Sequence, residues 1–221
     1  MSTSSIRGTV AGLGARANPA FAGGVVGVSL LALAYAVTVA SVQMHTYVHV
    51  MSGVLWTGAD LFMGLVLGPV AGGLDESESA ALFRRLTPKT AFFLPSMALV
   101  TIAGGITLAQ RVGWFSNAGP WLALFTAVNA IPILLLLGWR LDAYGDRRWQ
   151  AAFAIVTVLS VQGFGFLLPG EIRMYQEMTS PDPDAGVIAR IGERNAKLGG
   201  VQGVFQLSLV VAMVYLRYGG L

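Results

Sequence analysis

The chain has 221 residues, of which 55% are hydrophobic and 11% are charged, and its net charge is +3. A soluble domain carries about 25% charged residues, so a chain this apolar lacks the polar groups that a water-exposed surface needs. The lack of cysteine excludes disulfides, thiolate metal sites and cysteine nucleophiles, and no basic stripe suggests a nucleic-acid partner. We therefore predict one all-α domain, residues 1–221, that crosses a lipid bilayer as a polytopic transmembrane helical bundle.

Hydropathy predicts about six spans, because a helix crosses the hydrocarbon in about 20 residues. The first span follows Arg7 and Arg16 and is long enough to cross, so we interpret it as an uncleaved helix and not as a signal peptide. A tight turn at 41–43 separates it from the second span. Five spans with a re-entrant first segment are the alternative. The six predicted spans are 22–42, 44–70, 90–110, 119–139, 149–169 and 198–216.

The distribution of Lys and Arg predicts a multi-pass protein of the cell (plasma) membrane with both termini cytoplasmic. The other side receives Arg111 and the segment 170–197, whose acidic residues offset its basic ones. We expect this segment to be an outer loop on the side of His45, with a helical piece on each side of the turn "SPDPD". It could serve as a connector or as a lid. The predicted cytoplasmic basic residues are Arg7, Arg16, Arg84, Arg85, Lys89, Arg140, Arg147, Arg148 and Arg217.

Both histidines of the chain lie on the second span, in "QMHTYVHVMSGVLWTGADLF" (43–62). Helical spacing places a set of larger side chains on one stripe, and Gly53 on the same side leaves a gap beside His49. Polar groups in a membrane face the bundle interior or a cavity, so we expect the stripe to point inward. Its members are His45, His49, Trp56, Asp60 and Met63.

Histidines four residues apart can chelate one small ion such as zinc or copper. They approach from the same direction, so they cannot bind one haem iron from both sides, and a haem would use only one of them. His45 could instead be a solvated residue near the interface, and Trp56 could pack in the core or flank a cofactor. Four methionines would suit copper, although methionine also fills gaps: Met44, Met51, Met174 and Met178.

Asp60 is a carboxylate well inside an apolar run. A central charge costs about 3 kcal/mol on insertion scales, which predicts either a functional role or a hydrogen bond from Ser, Thr or Gln of a neighbouring helix. Gln202 and Gln206 share one face of the last span, and we expect them to make interhelical hydrogen bonds.

The stretch "HVMSGVLWTG" (49–58) resembles the opening helix of three membrane families. These are the HemJ-type protoporphyrinogen oxidases, the CopD copper-resistance proteins and the membrane domain attached to some bacterial urate oxidases. The stretch "RRLTPKTAFFLPSMALVTIAGGITLA" (84–109) is similar to the basic loop and Pro-containing helix of those proteins. More faintly, "ERNAKLGGVQGVFQLSLVVAMVYLR" (193–217) resembles their closing helix.

The resemblance implies a helical bundle in which His49 is a candidate haem ligand. HemJ-type enzymes carry a second segment of "WLHxK" type, whereas the corresponding stretch here, "GPWLALFTAVNAIPILLLLGW" (119–139), has neither His nor Lys. Membership of the superfamily is therefore expected, and protoporphyrinogen oxidase activity is not.

Three functions follow from the sequence. The first is a haem-binding protein with a redox or electron-transfer role, which binds haem b through His49 or, failing that, His45, beside Gly53 and Trp56. The second is copper or other ion handling by His45, His49 and Asp60. The third is a non-catalytic subunit of a membrane complex. Beyond the lipid bilayer, the expected partners are other membrane subunits or copies of the same chain, and no nucleic acid.

Overall fold

The computed structural model describes residues 6–114, 116–120, 122–123 and 147–218, and every regular element within these ranges is helical. Five helices in these ranges are long and apolar enough to cross a membrane, which confirms the predicted all-α bundle of transmembrane type. The span expected at 119–139 lies for the most part outside the described residues. The five candidate spans are Pro19–Thr38, Val42–Gly72, Glu76–Arg111, Ala154–Met178 and Ala185–Tyr215.

We number the helices in chain order. Helix α1 is short and precedes the first candidate span, while α3 and α5 each contain a π-helical turn and continue beyond it. The bounds are α1 Ile6–Ala17, α2 Pro19–Thr38, α3 Val42–Gly72, α4 Glu76–Arg111, α5 147–178 and α6 Ala185–Tyr218.

Capping residues explain where three helices begin. Asn18, in the left-handed region that Asn tolerates, accepts a hydrogen bond from the Ala20 amide and separates α1 from α2. Ser41 Oγ accepts from the Met44 amide, so the turn expected at 41–43 falls just before α3. Asp75 opens a capping box and starts α4 well before the predicted residue 90.

Two spans widen into π-helical turns, at Met63–Leu67 in α3 and at Gly163–Leu167 in α5. Each widened turn is followed closely by a proline, Pro69 in α3 and Pro169 in α5. A proline inside a helix has no amide hydrogen and clashes with the carbonyl four residues earlier. A wider turn relieves that clash, so both helices continue through the proline.

One end of the bundle, which we call the α1 end, gathers segments that are distant in sequence. Gly12 of α1 lies against the ring of Tyr175 in α5, and Gly192 of α6 lies against the ring of Phe83 in α4. A buried apolar cluster here contains residues of all four helices from α3 to α6. Its members are Ala71, Ala80, Phe83, Met174, Met178, Ile188 and Ile191. The opposite end, where α3 begins, is called the His45 end.

Contacts between neighbouring helices fix their directions. Thr87 and Thr90 of α4 bond to Met174 and Glu171 of α5, so these helices run antiparallel. In the same way, Gly64 of α3 packs on Gly200 of α6, and Leu61 packs on Gly203. Helix α6 therefore starts at the α1 end and runs antiparallel to α3 towards the His45 end.

These directions correct the predicted sidedness. Residues 170–197 were expected on the side of His45, but they lie at the α1 end, so they cannot cover a site beside His45. They also form the end of α5 and the start of α6, with only residues 179–184 between the helices. Helices α1 and α6 place the described ends of the chain at opposite ends of the bundle, which differs from the prediction that both termini are on one side. The reason is that α4 ends and α5 begins at the same end of the bundle, the His45 end. Helix α5 therefore returns to the α1 end, and α6 finishes at the His45 end.

Candidate functional site

Helix α3 turns the predicted stripe inward: in Val42–Phe62, the buried residues are four polar side chains and Trp56. The opposite face carries exposed apolar residues, such as Val50, Val54 and Leu65, as a lipid-facing surface requires. The stripe is therefore interior, as the spacing predicts. Its buried members are His45, His49, Ser52, Trp56 and Asp60.

His45 is fully buried, and neighbouring groups bind both of its ring nitrogens. Its Nε2–H donates to the Gly104 carbonyl (3.0 Å), and its Nδ1 accepts from Arg111 Nη1 (3.3 Å). The same guanidinium donates to the carbonyls of Ala36 (3.0 Å) and Ala40 (2.8 Å) at the end of α2. His45 was predicted as a solvated interface residue or as a ligand. The ring is buried and not solvated, and with both nitrogens engaged it has no lone pair free for a metal in this structure.

His49, one turn further along α3, is bonded differently. Its Nδ1–H donates to the Thr101 carbonyl (2.8 Å), so its Nε2 holds the lone pair. The described residues offer Nε2 no hydrogen-bond donor. The ring lies over Gly105, where an added Cβ would be 2.7 Å from His49 Cε1. Gly53 was expected to leave a gap beside His49, but a Cβ added there would lie 3.4 Å from Thr101 Cγ2, so the Thr101 side chain occupies that space.

Trp56 is 3% exposed and packs in the central apolar cluster with Ala98, Ile102 and Leu159. It also lines a cavity of ≈ 40 Å³, measured as the volume open to the centre of a water molecule. That is room for a few water molecules. The cavity does not include His49. Its polar lining consists of Thr90, Ser160, Glu171 and Gln202.

Asp60, near the widened turn of α3, is 1% exposed and receives two hydrogen bonds from α6. Gln202 Nε2 and Gln206 Nε2 both donate to its Oδ2, at 3.1 Å and 2.8 Å. The expectation of hydrogen bonds from glutamine on a neighbouring helix is thus met. Asp60 Oδ1 has no partner, and neither does Oε1 of either glutamine. Three buried acceptor oxygens are therefore left without a donor.

Glu171 is a site residue that the sequence did not predict. Its Oε1 accepts from Thr90 Oγ1 (2.9 Å), and it lines the same cavity as Gln202, which donates to Asp60. A signal was present, because Gly163, Leu167 and Glu171 follow at four-residue spacing and form one otherwise apolar stripe. The prediction of a loop over 170–197 hides this stripe, because its last member falls in the predicted loop.

The predicted copper set does not come together. Met174 and Met178 are buried at the α1 end, far along the bundle from His45, and Met174 Sδ accepts from Thr87. Met44 and Met51 are exposed on the lipid-facing side. In the described part of the chain, no three His, Asp or Glu residues are close enough to hold one metal ion.

Comparison with known proteins gives no relative: no family model, no curated protein and no solved structure matches this chain. The site geometry is therefore the basis for any functional assignment.

Proposed function

We propose that this protein is an integral membrane haem-binding protein with a redox or electron-transfer role and that Nε2 of His49 is the axial ligand. The observation that supports this proposal is the bonding of the ring. A metal-ligating histidine almost always donates its other ring N–H to a carbonyl, a carboxylate or water. His49 does so to Thr101, and its Nε2 lone pair has no donor among the described residues.

The residues around His49 would hold the ring in this orientation. The Thr101 carbonyl sets the tautomer, and Gly105 allows the backbone of α4 to approach one face of the ring. Bound haem b would supply one-electron redox chemistry. His49 does not line the cavity of Trp56 and Glu171, so the residues that would hold the haem are separate from those of that cavity.

The bonding of His45 favours haem over a two-histidine copper site. Copper chelation by His45 and His49 needs a lone pair on each ring, and both nitrogens of His45 are already engaged. One free imidazole nitrogen suffices for a haem.

Charge supports an orientation in which the α1 end faces the cytoplasm. Cytoplasmic ends of membrane proteins carry the excess of Lys and Arg, and the α1 end carries nine of the chain's 14. We propose a multi-pass protein of the cell membrane with His49 in the outer half. The nine are Arg7, Arg16, Arg84, Arg85, Lys89, Arg173, Arg190, Arg194 and Lys197.

The test is the visible spectrum of the detergent-purified protein, oxidised and reduced, after expression with added haem. We expect a Soret band in the wild type, its loss in His49→Ala, and its retention in His45→Gln, since glutamine can still donate to Gly104 and accept from Arg111. A wild-type protein that folds and shows no Soret band contradicts the proposal. So does a His49→Ala variant that keeps the full band.

Two neighbouring glycines give a matched pair for the same measurement. Alanine at Gly105 would place its Cβ 2.7 Å from His49 Cε1 and displace the ring, whereas at Gly104 the nearest contacts are 3.8 Å or more. We expect Gly105→Ala to shift or weaken the Soret band and Gly104→Ala to leave it unchanged. Equal spectra for the two variants would argue against ligation by this ring.

A further inference from the structure

The oxygens around Asp60 lack donors. Asp60 is 1% exposed, and Gln202 and Gln206 are each 3% exposed, yet Asp60 Oδ1 and both glutamine Oε1 atoms have no hydrogen-bond partner. A buried acceptor without a donor is destabilising by about 1–3 kcal/mol. Each of the three atoms is an acceptor, so the group that would satisfy them carries hydrogen or positive charge.

The cavity continues this cluster towards a second carboxylate. Gln202 donates to Asp60 and lines the cavity, and Glu171 lines it from α5. The hydroxyl of Ser160, 1% exposed, also lines it and has no partner. A buried water needs two to four polar partners. Ser160, Gln202 and Glu171 can supply these, so the cavity suits water that joins the two acidic side chains.

Few cations approach either carboxylate. In the described part of the chain, neither Asp60 nor Glu171 has an ion-pair partner. Arg194 lies beside Gly170, next to Glu171 in sequence, but its Nη2 bonds to Asn195 Oδ1. Lys197 lines a separate groove on α6. The groups facing the carboxylates are therefore neutral amides and hydroxyls, which leave their charge uncompensated.

The helices that carry the two carboxylates are irregular at this depth. The π-helical turn Met63–Leu67 begins three residues after Asp60, and the turn Gly163–Leu167 ends four residues before Glu171. Single π-helical turns occur frequently at functional sites. This irregularity is independent of the missing hydrogen bonds and falls at the same place.

We infer that Asp60 and Glu171 form an intramembrane proton-binding site, joined through Gln202 and cavity water. A proton taken up from water bonds to a carboxylate oxygen and converts an acceptor into a donor. That donor can bond to a glutamine Oε1 or to a cavity water, and release returns the proton to water. Intramembrane carboxylates commonly mark proton or ion paths. The site does not depend on haem, because His49 is outside the cavity.

Infrared spectroscopy of the protein in a detergent without ester groups tests this site, since a protonated carboxyl then has a C=O band that no lipid ester overlaps. We expect a wild-type band that appears as pH falls, shifts in D₂O, and loses intensity in Asp60→Asn and in Glu171→Gln. Asp182→Asn is the control, because Asp182 is exposed in the turn between α5 and α6. It should leave the band unchanged.

Two results would overturn the inference. One is a folded wild-type protein whose carboxyl band does not titrate or is unaffected by both substitutions. The other is removal of the band by Na⁺ but not by the same concentration of K⁺, which would mean that a metal cation occupies the oxygens. The wild-type titration in H₂O and D₂O decides the question even if a variant does not fold.

Discussion

Helix α3 carries two polar regions that contrast in their bonding. At the His45 end, His45 and Arg111 use their polar atoms on carbonyls and on each other. Around Asp60, three buried oxygens have no donor. His49 lies between these regions, with one ring nitrogen engaged. The contrast shows that a polar stripe on a helix marks an interior face. The neighbouring helices then determine which of its polar atoms are left without a hydrogen-bond partner.

The difference has a physical source in the partners. Helix α4 presents backbone carbonyls to the histidines, at Gly104 and Thr101, and Arg111 adds a fork of N–H donors that matches several acceptors. Helix α6 presents two glutamines, each of which brings one acceptor for every donor group it directs at Asp60. In the first region, the ring nitrogens and the guanidinium therefore find hydrogen-bond partners. In the second region, each glutamine that donates to Asp60 also brings an Oε1 acceptor that has no donor of its own.

The largest expected effect comes from Gly64→Ala, which would separate α6 from Asp60. A Cβ at Gly64 would collide with the backbone of Gly200, and backbone cannot move aside as a side chain can. Overpacking of this kind destabilises by about 1–3 kcal/mol, occasionally more. We expect a lower midpoint of thermal unfolding in detergent. Gly58→Ala is the matched control, because nothing lies within 4 Å of its added Cβ. If both variants lower the unfolding midpoint equally, the close contact between Gly64 and Gly200 is contradicted.

Arg111→Gln should weaken the His45 end and leave the Asp60 region intact. The substitution removes the guanidinium that binds the Ala36 and Ala40 carbonyls and His45 Nδ1. Hydrogen bonds to charged groups contribute about 1.5–3 kcal/mol, and a cation at a helix C-terminus adds to this. We expect denaturant unfolding at a lower midpoint. A variant as stable as the wild type would mean that the region is not held by this residue.

Gln206→Leu should destabilise the Asp60 region by less, since Gln202 still donates to the carboxylate. The lost donor leaves Asp60 Oδ2 with one partner, at a cost of about 1–3 kcal/mol, offset in part by removal of the unpaired Gln206 Oε1. Combining it with Asp60→Asn in a double-mutant cycle measures the coupling of the pair. Purely additive effects would show that the bond contributes nothing.

The smallest effect concerns Asp75, at the α1 end and outside both regions. The backbone N–H of Glu78 and the Ser77 hydroxyl hold the pKa of Asp75 below its ordinary value. Its contribution to stability is therefore present above the unfolded-state pKa and is lost as pH falls through the lower folded-state pKa. We expect Asp75→Ala to be slightly less stable than the wild type at neutral pH and equal to it in acid. A difference independent of pH would exclude the capping charge as the cause.

The sequence was sufficient for the parts that depend on periodicity and apolar length. It predicted the all-α bundle, the turn before α3 and the inward stripe on α3, because a 3.6-residue period fixes which side chains share a face. The sequence also predicted a hydrogen bond to Asp60 from a neighbouring helix and interhelical bonds from Gln202 and Gln206, but it did not identify these glutamines as the partners of Asp60.

What the sequence missed depends on how distant segments pack. Glu171 was assigned to an outer loop because charged residues surround it, although α5 continues as a helix through Met178. The bonding of His45 depends on Arg111, which is 66 residues away and was expected only as a loop charge. Hydropathy records how apolar a segment is. It does not record which end of the bundle a helix starts from, and that determines the neighbours of each polar group.

The prolines at 69 and 169 each follow a widened turn, and prolines and such turns are where helices usually kink. A small bend of α5 at its widened turn would move Glu171, which lies beyond that turn, and would change the width of the cavity that Glu171 and Gln202 line. Asp60 and His49 both precede the widened turn of α3, so a bend there would not move one relative to the other. One carboxylate can thus shift while the other keeps its distance from the histidine.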